Sequence, residues 1–165
     1  MDYSCSRGEN TLRILCTDPK AQYQAYRQEL EEAALNVMRG GYYVLGEEVK
    51  RFEEEFSEYI GVNEAIGVAN GTDAIEIAIR ALQIGYGDEV ITVSHTAVAT
   101  VAAIEAAGAV PVLIDINPNT YTLDTKQLDS VLSSNTKAVV AVHLYGQSAD
   151  LELIGDFCRI NNLAL

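Results

Sequence analysis

From residue 65 to Leu165, short apolar runs alternate with longer amphipathic stretches, and turn residues separate them. Residues 65–69 (AIGVA), Glu89–Val93 (EVITV), Val110–Ile114 (VPVLI) and 137–142 (KAVVAV) read as strands. They are apolar along their length rather than at every second position, which is the pattern of strands buried on both faces. Residues 72–83, 96–107 and 150–161 read as helices, and Asp124 caps a short one to Leu132. Residues 163–165 read as the start of one more strand. This order predicts an α/β fold with a mostly parallel sheet, helices on both faces and right-handed crossovers. The chain stops inside an apolar run, so the sheet is expected to be truncated or to close on a short edge.

Upstream the texture differs. Residues 1–17 have no period and read as a loosely ordered leader. Residues 18–61 read as an N-terminal helical segment. Asp18 can cap a helix and Pro19 suits its first position. Tyr23, Tyr26, Leu30, Ala33, Ala34 and Val37 then recur at helical spacing to Met38, and Gly40-Gly41 ends that helix. Tyr42-Tyr43-Val44-Leu45 forms an apolar connector, and Gly46 opens a second helix with Val49, Phe52, Phe56 and Tyr59 on one face. Its other face carries Glu47, Glu48, Lys50, Arg51, Glu53, Glu54 and Glu55, read as a solvated surface. Gly61 stops it, and residues 62–165 form the α/β part.

Charge narrows the partners. Asp and Glu number 24 against 11 Lys and Arg, a net charge of −13. Such a chain repels nucleic-acid backbones and anionic membranes, so neither is expected as a partner. The 3 cysteines (Cys5, Cys16, Cys158) are too scattered for a disulfide framework or a zinc site. The N-terminus lacks the basic start and apolar core of a secretory signal, and no run is long enough to span a bilayer. A cytoplasmic location is the expectation.

In open α/β sheets, ligands bind beyond the carboxyl ends of the strands. The predicted ends carry Asn70-Gly71-Thr72-Asp73, Ser94-His95-Thr96, Asp115 with Asn117, and His143-Leu144-Tyr145-Gly146. Gly71 lets a ligand approach the backbone, Thr72 offers a hydroxyl, and the N–H groups of a helix start attract anions. The same residues also suit a plain turn with Thr or Asp as N-cap. His95 could stack on a ring or donate to an anion. It could equally be a loop histidine, with Ser94 or Thr96 capping the next helix. His143 reads as a loop residue. His95, His143 and Asp115 make a poor metal set, and no metal site is expected. Neither G-x-G-x-x-G nor a Walker A loop is present, which counts against a nicotinamide-dependent oxidoreductase on a similar sheet.

Taken in order, the motifs resemble one family. They are Gly46-Glu47-Glu48-Val49-x-x-Phe52-Glu53, Asn70-Gly71-Thr72-Asp73-Ala74, Gly87-Asp88-Glu89-Val90-Ile91, Ser94-His95-Thr96-Ala97-Val98-Ala99-Thr100, Gly108-Ala109-x-Pro111-Val112 and Val142-His143-Leu144-Tyr145-Gly146. The chain resembles the DegT/DnrJ/EryC1/StrS family of pyridoxal-phosphate-dependent sugar aminotransferases over residues 19–165. It looks most like the branch that aminates nucleotide-linked 3-keto-6-deoxyhexoses.

The resemblance implies a fold-type-I aminotransferase large domain without its small C-terminal domain. It implies pyridoxal 5'-phosphate as cofactor, held through its phosphate by Gly71 and Thr72. Many members stack an aromatic on the cofactor ring where this chain has Ala97, and His95 is the expected substitute. Tyr43 lies in a family segment near the substrate across a dimer interface, with no role assigned. The family's Schiff-base lysine and the acid facing the pyridine nitrogen come later than Leu165. Lys20, Lys50, Lys126 and Lys137 do not fit the lysine motif, so no catalytic residue is expected in this chain. The expected activity is that of the N-terminal part of an enzyme moving an amino group, from an amino-acid donor such as glutamate, onto a nucleotide-linked keto-deoxy sugar. A homodimer is expected at full length. The rival expectation is a catalytically dead module of the same fold that binds a phosphate ligand or pairs with a homologue.

Overall fold

Our computed structural model describes residues 17–165 and divides the chain into two units, one ending at Gly67 and one spanning Val68–Leu165. The expected leader, with Cys5 and Cys16, lies outside the described residues apart from Thr17.

In the first unit, Asp18 caps α1 (Pro19–Ala25), accepting from the Ala21 N–H at 3.0 Å. The single helix expected to Met38 is broken at Tyr26, and α2 (Arg27–Gly40) follows. No Gly or Pro announces the break. The Tyr23 hydroxyl donates to Glu31 across it, while Arg27 pairs with the same carboxylate from within α2, so one side-chain bond ties the two pieces together. Gly41 ends α2 in the left-handed region at φ 68°, where a glycine costs least. Gly46 caps α3 (Glu47–Ile60), and Gly61 closes it at φ 79°. Phe52 and Phe56 stack at 5.6 Å on its apolar stripe. The charged face is largely solvated and laced with Glu48–Arg51, Arg51–Glu55 and Lys50–Glu54 pairs. Exposed pairs of this kind add little stability each. Glu53 departs from the expected solvated face. It is half-buried, and its Oε1 accepts from the Gly67 N–H at 2.7 Å.

The second unit is the α/β part. It runs α4 (Gly71–Ala81), β1 (Glu89–Val93), α5 (Val98–Ala106), β2 (Val110–Ile114), a 3-10 turn leading into α6 (Leu128–Val131), β3 (Thr136–Val140) and α7 (Leu151–Asn161). The strands form a parallel sheet in the order β2-β1-β3. Glu89 through Val93 pair with Val110 through Ile114, and Val90 through Thr92 pair with Ala138 through Val140. Beside β3, where a further strand was expected at 163–165, Ala164 forms an isolated parallel bridge with Ala138. Pro111 lies in β2, an edge strand, where its missing N–H costs no ladder bond.

Both sheet faces are buried. Val90 and Ala138 face Ile79 of α4 and Ile104 of α5. Ile91, Val93 and Val139 face Leu128 of α6 and Ile154 and Cys158 of α7. Each fully buried side chain of this size contributes about 2 kcal/mol. Thr92 is the polar exception among the fully buried side chains of β1, and its hydroxyl donates to the Val140 carbonyl at 2.9 Å. The parallel α/β expectation with helices on both faces is thus borne out.

Residues 65–69 correct one expectation. They form no strand, and Ile66 is 78% exposed. A parallel strand needs a neighbour's free edge, and this segment pairs with neither β2 nor the chain at Ala164. No described helix is long and apolar enough to cross a membrane.

Candidate functional site

The connection from α4 to β1 turns the chain back on itself, so α4 runs against the strands and starts at their carboxyl end. Asn70 is its N-cap, in place of the expected Thr or Asp. The cap is extended at φ −162°, and its Oδ1 accepts from the Asp73 N–H at 2.9 Å. Its Nδ2 donates to the Asp73 carboxylate at 3.1 Å, drawing that negative charge onto the cap. The Ala74 N–H donates to the Asn70 carbonyl at 3.1 Å. The Gly71 and Thr72 N–H groups and the Thr72 hydroxyl make no hydrogen bond among the described residues. A methyl group added at Gly71 would meet no heavy atom within 4 Å. The result is an open set of donors at the positive end of a helix, chemically suited to phosphate oxygens.

Two more helices begin at the same end of the sheet. The Asp150 carboxylate caps α7, accepting from the Leu153 N–H at 3.1 Å. Ala97 precedes α5 and supplies no side-chain cap. Neither Ser94 nor Thr96 caps α5 as expected. Thr96 reaches the Thr100 hydroxyl at 2.9 Å, and Ser94 lies 3.4 Å from Asp115 Oδ1.

His95 follows β1 and is exposed. Its Nε2 lies 3.1 Å from the Tyr145 hydroxyl, with ring centroids 5.9 Å apart. Tyr121 meets Tyr145 edge-on at 6.5 Å. His143 Nδ1 accepts from the Ala149 N–H at 3.0 Å, which places the proton of the neutral ring on Nε2. Sequence reasoning placed Gly71, Thr72 and His95 at strand and helix ends but missed Asn70 as cap and Tyr145 as the partner of His95. The Gly146 that follows Tyr145 in the loop after β3 was the available signal for a sharp turn there. Among the titratable groups of this unit, the Cys158 thiol has a pKa pushed up by burial, and it lies in the core rather than here.

The fold is a parallel α/β domain, and α4 starts open at the carboxyl edge of its sheet, where ligands of this class of fold bind. The sequence profile of the DegT/DnrJ/EryC1/StrS aminotransferase family matches residues 24–165, and the chain belongs to that family. It is 46% identical over 138 residues to a dTDP-3-amino-3,6-dideoxy-alpha-D-galactopyranose transaminase of Aneurinibacillus thermoaerophilus, covering 84% of this chain and 38% of that protein. It is 41% identical to a dTDP-3-amino-3,4,6-trideoxy-alpha-D-glucose transaminase of Streptomyces venezuelae, covering 96% of this chain and 41% of that one. Among solved structures, S. venezuelae DesV in complex with a ketimine intermediate superposes with a TM-score of 0.90 at 38% identity. That likeness covers 93% of this chain and 41% of DesV. A Bacillus subtilis protein solved with bound cofactor PMP superposes with a TM-score of 0.82 at 32% identity, over 84% of this chain and 32% of its own. The chain thus spans about 40% of the length of the curated relatives it matches.

Proposed function

We propose that this chain is the N-terminal part of a pyridoxal-phosphate-dependent aminotransferase that moves an amino group, with glutamate as donor, onto a nucleotide-linked keto-deoxy sugar. The observation that carries the reading is the open first turn of α4. The Gly71 and Thr72 N–H groups and the Thr72 hydroxyl hold the cofactor phosphate, and the absence of a side chain at Gly71 leaves room for its approach. His95 lies against the cofactor ring. When bound, pyridoxal phosphate supplies an electron sink for proton transfer at the carbon that bears nitrogen. Family membership and the activities of the relatives support the substrate class.

In this reading residues 18–61 are the N-terminal helical segment and 62–165 are part of the large cofactor-binding domain of a cytoplasmic homodimer. The four lysines are given no catalytic role. Lys20 lies on α1, and Lys50 pairs with Glu54. Lys126 sits in a groove against Phe157 and Ile160 of α7. Lys137 stands at the amino end of β3, its Nζ donating to the Ser134 carbonyl at 3.2 Å. The chain by itself is expected not to turn over.

Titration of the chain with pyridoxal phosphate and with pyridoxal tests the phosphate site. The reading expects the phosphate ester to bind at least about tenfold more tightly, since charge-assisted hydrogen bonds are lost with the phosphate. Borohydride treatment followed by peptide mass analysis is expected to find no stoichiometrically modified lysine. Equal affinity for the two ligands, or one lysine modified in full, refutes it. Transamination of a dTDP-linked 3-keto-6-deoxyhexose by glutamate tests the substrate class in the intact protein.

A further inference from the structure

The carboxyl end of the sheet holds an aromatic group that the phosphate site does not explain. Tyr145 has φ 55° and ψ 24°, and Tyr121 has φ 58°. Both are bulky residues in the left-handed region, a conformation that costs on the order of 1 kcal/mol or more and persists only where the surroundings require it. Their outcome is shared. Tyr121 is turned so that its ring meets Tyr145 edge-on, and Tyr145 is turned so that its hydroxyl meets His95 Nε2 at 3.1 Å. The hydroxyl and the imidazole are 50 residues apart in sequence, so the contact depends on β1 and β3 lying side by side.

We propose that Tyr145 is a positioning residue, which donates its phenol proton to His95 Nε2 and so holds His95 as the neutral Nδ1–H tautomer with its ring plane set. The direction follows from chemistry. An imidazole lone pair is a stronger acceptor than a phenol oxygen, and a phenol is a good donor. With Nε2 accepting, the remaining ring proton sits on Nδ1. His143 is held the opposite way, because the Ala149 N–H donates to its Nδ1 at 3.0 Å. The chain has 2 histidines, and on this proposal they hold opposite tautomers.

A neutral imidazole of fixed plane can lie against a charged heteroaromatic ring without like-charge repulsion, and it gives up little rotamer freedom in doing so. Tyr145 is 76% exposed and Tyr121 52% exposed, so the group stands at the surface where a ligand would arrive. Tyr121 braces Tyr145 from the side and has no contact role of its own. The functional side of this inference rests on the reading that His95 faces the cofactor ring. The tautomer itself does not.

The test is nitrogen NMR on the intact chain labelled with 15N-histidine, with His143→Gln used to assign the two rings. Nitrogens that carry a proton and nitrogens with a free lone pair resonate far apart, so each tautomer reads out directly. The expected result is Nδ1–H at His95 and Nε2–H at His143. Tyr145→Phe removes only the hydroxyl, and it should move His95 toward the Nε2–H form that unconstrained side chains favour. Tyr121→Leu should broaden the His95 signals while leaving their mean nearer to wild type. Pyridoxal phosphate affinity should fall about fivefold in Tyr145→Phe and further in His95→Ala, from the loss of one neutral hydrogen bond and then of the ring itself.

If His95 is Nε2–H in the wild type, or if Tyr145→Phe leaves its shifts unchanged, the proposal is overturned whatever the affinities do. If the shifts behave as expected but His95→Ala leaves pyridoxal phosphate affinity and absorbance untouched, the cofactor-ring reading fails. The positioning role toward the cofactor then falls with it.

Discussion

Replacing Thr72 by Val isolates one hydroxyl. Valine keeps the branched shape, so the half-buried side chain packs as before, and the Asn70 cap and its bond to the Asp73 N–H are untouched. Folding should therefore change little, because the Thr72 hydroxyl makes no intramolecular bond among the described residues. Ligand binding should change more. A hydrogen bond to a charged group is worth about 1.5–3 kcal/mol. Thr72 stands at the edge of an open site, so water competes and the lower end applies. About 1.5–2 kcal/mol corresponds to roughly 10–30-fold in affinity. The Gly71 and Thr72 N–H groups remain, so binding weakens without vanishing.

Equilibrium dialysis of wild type and Thr72→Val against pyridoxal phosphate and pyridoxal measures this as a ratio of ratios. The phosphate ester should lose roughly 10–30-fold while pyridoxal changes less than about twofold. An equal loss for both ligands would place the hydroxyl near the ring rather than the phosphate. No loss for either would remove the Thr72 hydroxyl from the site. A lower melting temperature in the variant would show that the hydroxyl serves the fold, against the bonding seen here.

Gly71→Ala is expected to leave the melting temperature unchanged or slightly raised, because a methyl there meets nothing within 4 Å and alanine is the better helix former. It should still weaken pyridoxal phosphate binding by filling the approach, and unchanged affinity would count against a phosphate at that turn. For Cys158, burial raises the thiol pKa in the folded state, so folding favours the protonated form. Below the ordinary thiol value of about 8.5 both states hold the proton and stability is intact; it is lost as pH rises above that value toward the raised folded pKa. Chemical denaturation at pH 7, 8.5 and 9.5 should show the fall, and Cys158→Ala should lessen it. In hydrogen exchange, the Gly67 amide should be protected and its neighbour Ile66 should not, with Glu53→Ala removing the protection. Alternating protection across residues 65–69 would instead mean that the segment pairs as a strand.

How far the sequence could be read depended on how far each residue's partner lay along the chain. Asp18 caps a helix through a bond to an N–H three residues on, and that was legible; Asp150, read as the first residue of its helix, caps it in the same way. β1 and β2 were read with the bounds they adopt, since a fully apolar run between turn residues suits a strand with neighbours on both sides or helices on both faces. The same pattern misled at residues 65–69, because an apolar run records an affinity for burial but not whether a partner edge is there to meet it. Periodicity also passed through the break at Tyr26, where helical spacing continues although the backbone does not.

The site divides along the same line. The donors at Gly71 and Thr72 follow from a turn contained within residues 70–74, so local chemistry was enough to find them, even though Asn70 and not Thr72 or Asp73 proved to be the cap. Glu53 was read with the solvated face because helical spacing puts it there, and its real partner lies 14 residues on. His95 was recognisable as a loop residue with two uses. Its contact with Tyr145 is contained in no window of sequence around it. The strained backbone that aims Tyr145 is likewise invisible in composition, since only the neighbouring Gly146 hints at a sharp turn. Local bonding therefore made the open start of α4 readable, whereas the His95–Tyr145 contact emerges only once the parallel sheet brings the ends of β1 and β3 together.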